Sequence, residues 1–150
     1  MHTFRNVGTS SFNVKEGGNV EVLVVAGGGG GGGRVGGGGG AGGLIYSNVF
    51  AVTNNGVYTV KVGAGGASGT GTGWQKTDKG ANGTNSVFGS LTAIGGGGGG
   101  AWINDTNTAS GADGGNGGSG IVIVRYVEPP LTGVKAEGGS VTNITIGGKA

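Results

Sequence analysis

The sequence predicts an all-β fold in which a small antiparallel sheet or sandwich is combined with a packed layer of polyglycine II helices, with essentially no α-helix. Glycine accounts for 44 of the 150 residues, about four times its usual share. Hydrophobic residues still make up 34%, and they are gathered in short runs. Disordered glycine-rich chains lack such runs, so we expect an ordered structure.

The longest glycine-rich run, 26–43, follows directly on an apolar run and leads directly into Leu44–Val52. A flexible linker usually mixes glycine with serine and other polar residues. Helices of the polyproline II type have three residues per turn and no internal hydrogen bonds, so their backbone groups must bond to neighbouring helices. Only glycine lets backbones approach that closely. We expect four glycine-rich runs to pack together: 26–43, 63–73, 95–100 and 111–120.

Three short strands are predicted before this run. Residues 2–14 contain two of them, separated by a Gly-Thr-Ser-Ser turn at 8–11, and a second turn is expected at 17–19. Residues 20–25 read VEVLVV. They are apolar on both faces, which is typical of a strand in the middle of a sheet.

A hairpin is predicted after the run. Asn54-Asn55-Gly56 separates Leu44–Val52 from Val57–Val62, and Asn-Gly between two apolar runs is the strongest short-range hairpin signal. The two strands are therefore expected to pair with each other. One face of the second strand is expected to carry Tyr58, Val60 and Val62.

The last strands lead to a short C-terminal arm. Residues 87–94 give a weak strand, and the β-branched run 121–127 closes the domain. Glu128-Pro129-Pro130 is a rigid break, so we divide the chain into a domain at 1–127 and an arm at 128–150. Residues 141–146 alternate apolar and polar side chains, as a half-buried strand does.

The arm is too short to fold alone, so it is expected to pair with the edge of this domain or with a neighbouring subunit. The candidate assembly residues are Phe4, Val141, Ile144 and Ile146.

The composition argues against several classes of function. The chain has no cysteine, which excludes disulfides and thiolate metal sites. The net charge is only +2 and the basic residues are scattered, so nucleic acid is not expected as a partner. No run approaches transmembrane length and no signal peptide is visible. Met1 favours assembly in the cytoplasm.

Sequence signals for catalysis or cofactor binding are weak. The entry into the first glycine run imitates a dinucleotide-binding fingerprint, but that motif needs a following helix and an acidic residue about 20 positions later. The only histidine, His2, would have to serve any Ser-His-Asp triad. A polar residue at the start of a strand is the simpler interpretation. We predict no enzymatic activity and no cofactor.

The loop carboxylates give no clear metal or acid–base site. Asp78, Asp105 and Asp113 lie in polar loops, where nothing indicates general acid–base work. Asp105, Asn107 and Asp113 carry oxygen ligands of the kind that Ca²⁺ accepts, but without a known loop spacing. Asn and Asp beside glycine more often form turns, so no metal site is predicted.

Two polar loops, 74–85 and 101–110, each carry a tryptophan directly after a glycine run. Such a ring can stack on a sugar or another polar surface while its neighbours hydrogen-bond. Alternatively, each ring caps the end of the glycine bundle and shields it from water. Arg34 is expected at a solvent-facing bend. The candidate receptor-contact residues are Trp74, Gln75, Lys76, Asp78, Lys79, Trp102, Asn104, Asp105 and Asn107.

Five segments in this order resemble the glycine-rich domain of bacteriophage tail-fibre proteins, adhesins and other virion proteins: 19–33, 37–47, 57–66, 86–100 and 117–126. The resemblance implies a non-enzymatic virion structural protein, in a tail fibre or on the capsid exterior. It implies that the glycine bundle is a scaffold and that the loops bind the host. Its partners would be copies of itself, other virion proteins, and a host polysaccharide or outer-membrane protein.

Other functions stay open. A self-assembling subunit of a cellular extracellular filament or surface layer would use the arm for polymerisation. An ice-binding protein would need a regular Thr or Ala array on one flat face, and the irregular loops argue against that. Residues 141–149 resemble the segment that commonly precedes the first strand of such phage domains. Strand addition between subunits is therefore a hypothesis.

Overall fold

The computed structural model describes residues 1–33, 36–70, 78–101 and 116–126, together with the backbone of 136–137 and 140–141. In this part of the chain the fold is all-β, as the sequence predicts. The strands in chain order are β1 (His2–Phe4), β2 (Gly8–Val14), β3 (Gly18–Val25), β4 (Leu44–Val52), β5 (Val57–Val62), β6 (Ser86–Phe88), β7 (Leu91–Ala93), β8 (Ile121–Tyr126), β9 (Ala136–Glu137) and β10 (Ser140–Val141).

The strands form two antiparallel sheets that enclose a common core. The first sheet has the order β10-β1-β8-β3-β4, and the second has the order β7-β6-β5-β2-β9. Each sheet has four strands from residues 1–126, and the arm adds a two-residue strand to each. Because β3 lies between β8 and β4, the prediction that 20–25 form a central strand is confirmed.

The core lies between the two sheets. Val20, Val22 and Val24 of β3 are fully buried while the residues between them stay partly exposed, because successive side chains of a strand point to opposite faces. From the second sheet, Phe12 and Phe88 are fully buried, with ring centroids 5.6 Å apart.

The predicted face of β5 is confirmed. Val60 and Val62 are buried, and Tyr58 packs against the core, where its ring stacks on Phe88 at 6.0 Å between centroids.

The predicted turn at 8–11 is wrong. Gly8–Val14 is a strand, and the chain turns at 5–7 instead, where it passes from the first sheet to the second. Gly8 begins β2 with a φ of 131°, a conformation that suits glycine. The polar residues that follow fit a strand because all of residues 8–11 are exposed, and β2 buries only Phe12 and Val14. The turn predicted at 17–19 is also displaced, since Gly18 and Asn19 begin β3.

The predicted pairing of the Asn-Gly hairpin is wrong as well. The turn itself is present: Asn55 has a φ of 55°, and the Gly56 amide donates to the Thr53 carbonyl at 3.1 Å. However, β4 pairs with β3, whereas β5 pairs with β2 and β6. The turn crosses between sheets because both strands bury their inner faces in one core.

The weak strand predicted at 87–94 is a small hairpin. β6 and β7 pair across a turn at which Gly89 has a φ of 54°. The strand predicted at 121–127 is confirmed for residues 121–126, and residue 127 lies outside the described part.

Within the described residues, six extended segments form a bundle at one end of the sandwich. We name them segment I (26–33), II (36–43), III (63–70), IV (78–84), V (95–101) and VI (116–120). Segment I is central and bonds to each of the other five through backbone hydrogen bonds of 2.8 to 3.1 Å. Every third amide reaches the same neighbour, so Gly27, Gly30 and Gly33 donate to segment IV. This period of three is the polyglycine II geometry predicted from the sequence.

The segments alternate in direction. Segments I, III and V leave the sandwich after β3, β5 and β7, and segments II, IV and VI return to β4, β6 and β8. Segment I runs antiparallel to IV, as bonds from residues 27, 30 and 33 to residues 84, 81 and 78 show, and parallel to III. With eight residues at about 3.1 Å each, segment I is about 25 Å long.

The tip of the glycine bundle as a candidate contact site

The far end of the bundle, here called the tip, brings together the ends of several segments. The Gly33 amide donates to the Asp78 carbonyl at 3.1 Å, and the Asp78 amide donates to the Thr70 carbonyl at 3.0 Å. On the other side, the Gly37 amide donates to the Gly100 carbonyl at 2.9 Å. Three connections join an outgoing segment to a returning one, and the described residues on either side of each lie at this end. The connections are 34–35, 71–77 and 102–115.

Asp78 and Lys79 are the two candidate contact residues that lie within the described residues, and both are exposed. The backbone of Asp78 is held on both sides by the bonds to Gly33 and Thr70. Its carboxylate also accepts a hydrogen bond of 3.2 Å from the Thr70 hydroxyl. These contacts fix the two ends of the connection 71–77 beside each other.

The remaining candidates lie outside the described residues: Trp74, Gln75, Lys76, Trp102, Asn104, Asp105, Asn107, and also Arg34 and Asp113.

The predicted loop 74–85 is wrong for its second half, because 78–84 form segment IV of the bundle. A Cβ on Gly80 would collide with the Gly30 carbonyl oxygen, and a Cβ on Gly83 with that of Gly27. An outer helix turns only one side towards the bundle, so a glycine at every third position is enough to allow close backbone packing on that side. That spacing, at residues 80 and 83, was the signal that could have identified this segment.

The outer segments also use asparagine side chains as hydrogen-bond acceptors. Asn82 and Asn85, three residues apart, accept hydrogen bonds from the amides of Gly98 (2.8 Å) and Gly95 (2.9 Å). Asn116 accepts one from the Ser68 amide at 2.6 Å. These side chains take the place of a neighbouring helix at the surface of the bundle, where outward amides have no backbone partner.

Two of the four candidate assembly residues, Phe4 and Val141, lie in the described part of the chain, on the neighbouring strands β1 and β10. Phe4 is 5% exposed and its ring belongs to the core, so any contact at this position would be made through the backbone of β1. Val141 lies opposite His2 in the pairing of β10 with β1. Ile144 and Ile146 lie outside the described residues.

His2 is a core residue of β1. It is 2% exposed, its Nε2 lies 2.7 Å from the Tyr126 hydroxyl, and its ring contacts Phe12 edge-on. Among the described residues no group of three or more His, Asp or Glu side chains could hold a metal ion. In the same part of the chain, no helix is long and apolar enough to cross a membrane.

Comparison with known proteins identifies the domain. The sequence profile of a family described as a glycine-rich domain matches residues 4–115, which is roughly three quarters of the chain. The match covers all the glycine segments except VI, and ends before β8. No curated protein matches the chain.

Proposed function

The chain belongs to the glycine-rich domain family, and from this premise we propose that it is a non-enzymatic structural protein of a virus particle. It presents loops at the tip of the bundle to the host surface, in a tail fibre or adhesin or on the capsid exterior. The observation that carries the proposal is the common exit of all three connections at the tip, about 25 Å from the sandwich at the rise per residue of a polyglycine II helix.

The architecture suits presentation because the bundle is held by its own backbone. The amides of segment I donate to segments II, IV and VI, and its carbonyls accept hydrogen bonds from segments III and V. The bundle therefore holds the ends of the connections in fixed positions. A contact surface built on such rigid ends loses less conformational entropy when it binds. Lengthening or changing the connections would alter the contact surface without altering the scaffold.

The composition of the connections favours a polar ligand. Trp74 lies in a connection that also contains Gln, Lys and Thr, and Trp102 in one that also contains Asn, Asp and Thr. A tryptophan ring can stack on a sugar while such polar neighbours hydrogen-bond to its hydroxyls. Asp78 and Lys79, which directly follow the connection 71–77, add one exposed charge of each sign. We therefore propose a host surface polysaccharide as the first ligand to test, and an outer-membrane protein as the second.

The test is binding of purified, fluorescently labelled protein to a panel of bacterial cells and to their isolated surface polysaccharides. Trp74→Ala and Trp102→Ala should each weaken binding at least tenfold. Tyr46→Ala is the matched control, because Tyr46 is an aromatic residue that is 58% exposed on the sandwich. Equal binding by all three variants, or loss only in Tyr46→Ala, would contradict the proposal.

A further inference from the structure

The four described residues of the arm, 136–137 and 140–141, pair with one open edge of each sheet. β10 pairs with β1 through His2↔Val141 and Thr3↔Ser140, and β9 pairs with β2 through Asn13↔Glu137 and Val14↔Ala136. Without these pairs, β1 and β2 would be the free edges of their sheets. Both edges are therefore strand-accepting sites, and the arm carries one short strand for each.

We propose that these edges also accept the arm of a second copy, so that β9 and β10 are exchanged between chains. The register of a strand pair depends on the two strands and not on which chain supplies them. Exchange of an identical element makes the same bonds as the closed chain and is a low-cost route to association. The four described pairs are few enough for the arm to leave and rebind.

The connection between domain and arm favours exchange. It consists of nine residues, 127–135, which can span about 30 Å when extended, more than the width of several strands at about 4.8 Å each. Its sequence contains Pro129 and Pro130. Proline restricts its own backbone and pushes the preceding residue towards an extended conformation, and an extended connection reaches farther than a coiled one.

A second copy is the partner that fits, because one arm must satisfy two different edges at once. Two residues separate β9 from β10, so a foreign partner would need the same two strands with the same spacing. Reciprocal exchange gives a closed dimer, and exchange in one direction gives a chain of copies.

The exchanged edges leave the tip free. Tyr126, at the end of β8, pairs with Val20, and β8 begins at the bundle, so the arm departs from the end of the sandwich that is remote from the tip. Joined copies would still present their connections. The proposal does not depend on host binding and fails or succeeds separately from it.

The experiment uses single-cysteine variants, since the chain has no cysteine of its own. Asn13→Cys and Glu137→Cys are made in separate full-length chains, one of which carries a mass tag. Opposite residues of antiparallel strands lie within the distance that a disulfide spans. After mixing at high protein concentration and mild oxidation, we expect the mixed disulfide at a level at least tenfold above the control.

The control mixes Ser11→Cys with Thr59→Cys. These two exposed residues are opposite each other in β2 and β5, within the domain rather than across the arm, so only random collision can link two chains. Thr3→Cys mixed with Ser140→Cys tests the β1 edge in the same way. Circular dichroism of each variant verifies that it is folded.

Equal amounts of mixed disulfide in test and control would overturn the proposal. So would its absence at every concentration while the double variant Asn13→Cys/Glu137→Cys closes within one chain. Using both edge pairs keeps the test decisive if one cysteine prevents folding.

Discussion

The sandwich and the glycine bundle must both pair their backbone hydrogen-bonding groups and fill their interiors, and they do so in opposite ways. In the sandwich, ladders pair the backbone groups and side chains such as Phe12 and Phe88 fill the interior. In the bundle the interior is backbone: Gly30 of segment I is buried among carbonyl and amide groups of other segments. A core made of side chains can accept a small change in side-chain volume by repacking. A backbone interior has no side chain that can be trimmed or repacked, so one added carbon must separate two helices.

The bundle also depends on the sandwich. Glycine loses more conformational freedom on folding than other residues, and the bundle buries few apolar side chains that could offset that loss. Segment I continues β3 without a break, and segment II continues directly into β4. The sheets therefore hold the ends of segments I and II that join the strands. This anchoring reduces the conformational entropy that these segments lose when the bundle forms.

The largest expected effect is that of Gly30→Ala. Its Cβ would collide with the Ala67 carbonyl, so segments I and III would have to separate and lose shared hydrogen bonds. We expect a loss of more than about 4 kcal/mol in the free energy of unfolding, which is in the range that marks severe single substitutions. Thermal and urea unfolding followed by circular dichroism measures this loss.

Gly38→Ala is the matched control for that prediction. Gly38 is exposed on segment II, and a Cβ there would meet nothing within 4 Å. Because alanine reduces the freedom of the unfolded chain, this variant should be neutral or more stable by about 0.4–1 kcal/mol. Similar losses in both variants would show that the close backbone contacts do not set the stability of the bundle.

The next effect in size concerns the sandwich. Phe12 has no exposed surface and contacts the rings of His2, Phe4 and Phe88. Phe12→Ala should cost about 3–5 kcal/mol because it leaves a cavity, whereas Phe12→Leu should cost clearly less because it leaves a smaller one. If the Leu and Ala variants are equally destabilised in urea unfolding, the sandwich core is as sensitive to substitution as the bundle interior. The contrast between a side-chain core and a backbone interior would then fail.

The same contrast explains what the sequence predicts well. Uninterrupted glycine and apolar runs each permit one arrangement, so segment I and the strands β3, β4 and β5 follow from local sequence. Segment IV cannot be recognised by its glycine content, because its outward positions carry Ala, Asn and Thr and only Gly80 and Gly83 face the bundle. The period of these glycines, rather than their number, carries the information.

Assignment of strands to sheets could not be read from local sequence. Asn55 and Gly56 specify a tight turn through the positive φ of Asn55, but a tight turn does not fix the partner of either strand. β4 and β5 reach different partners because inner-face residues such as Val52 and Val60 share one core, which depends on contacts far apart in the chain. At the tip, the sequence predicted which residue types the connections carry. It could not show that all three connections leave at one end.

The smallest expected effect tests how the surface of the bundle is completed. The side chain of the exposed residue Asn82 accepts a hydrogen bond of 2.8 Å from the Gly98 amide. Asn82→Ala should lower the free energy of unfolding by about 0.5–1.5 kcal/mol, the net worth of one hydrogen bond, and it should speed hydrogen exchange at the Gly98 amide. Asn19→Ala, an exposed position in β3, is the control and should leave that amide unchanged. Unaltered exchange at Gly98 in Asn82→Ala would mean that water replaces the side chain at no cost, and that the outer helices need no polar residues to complete them.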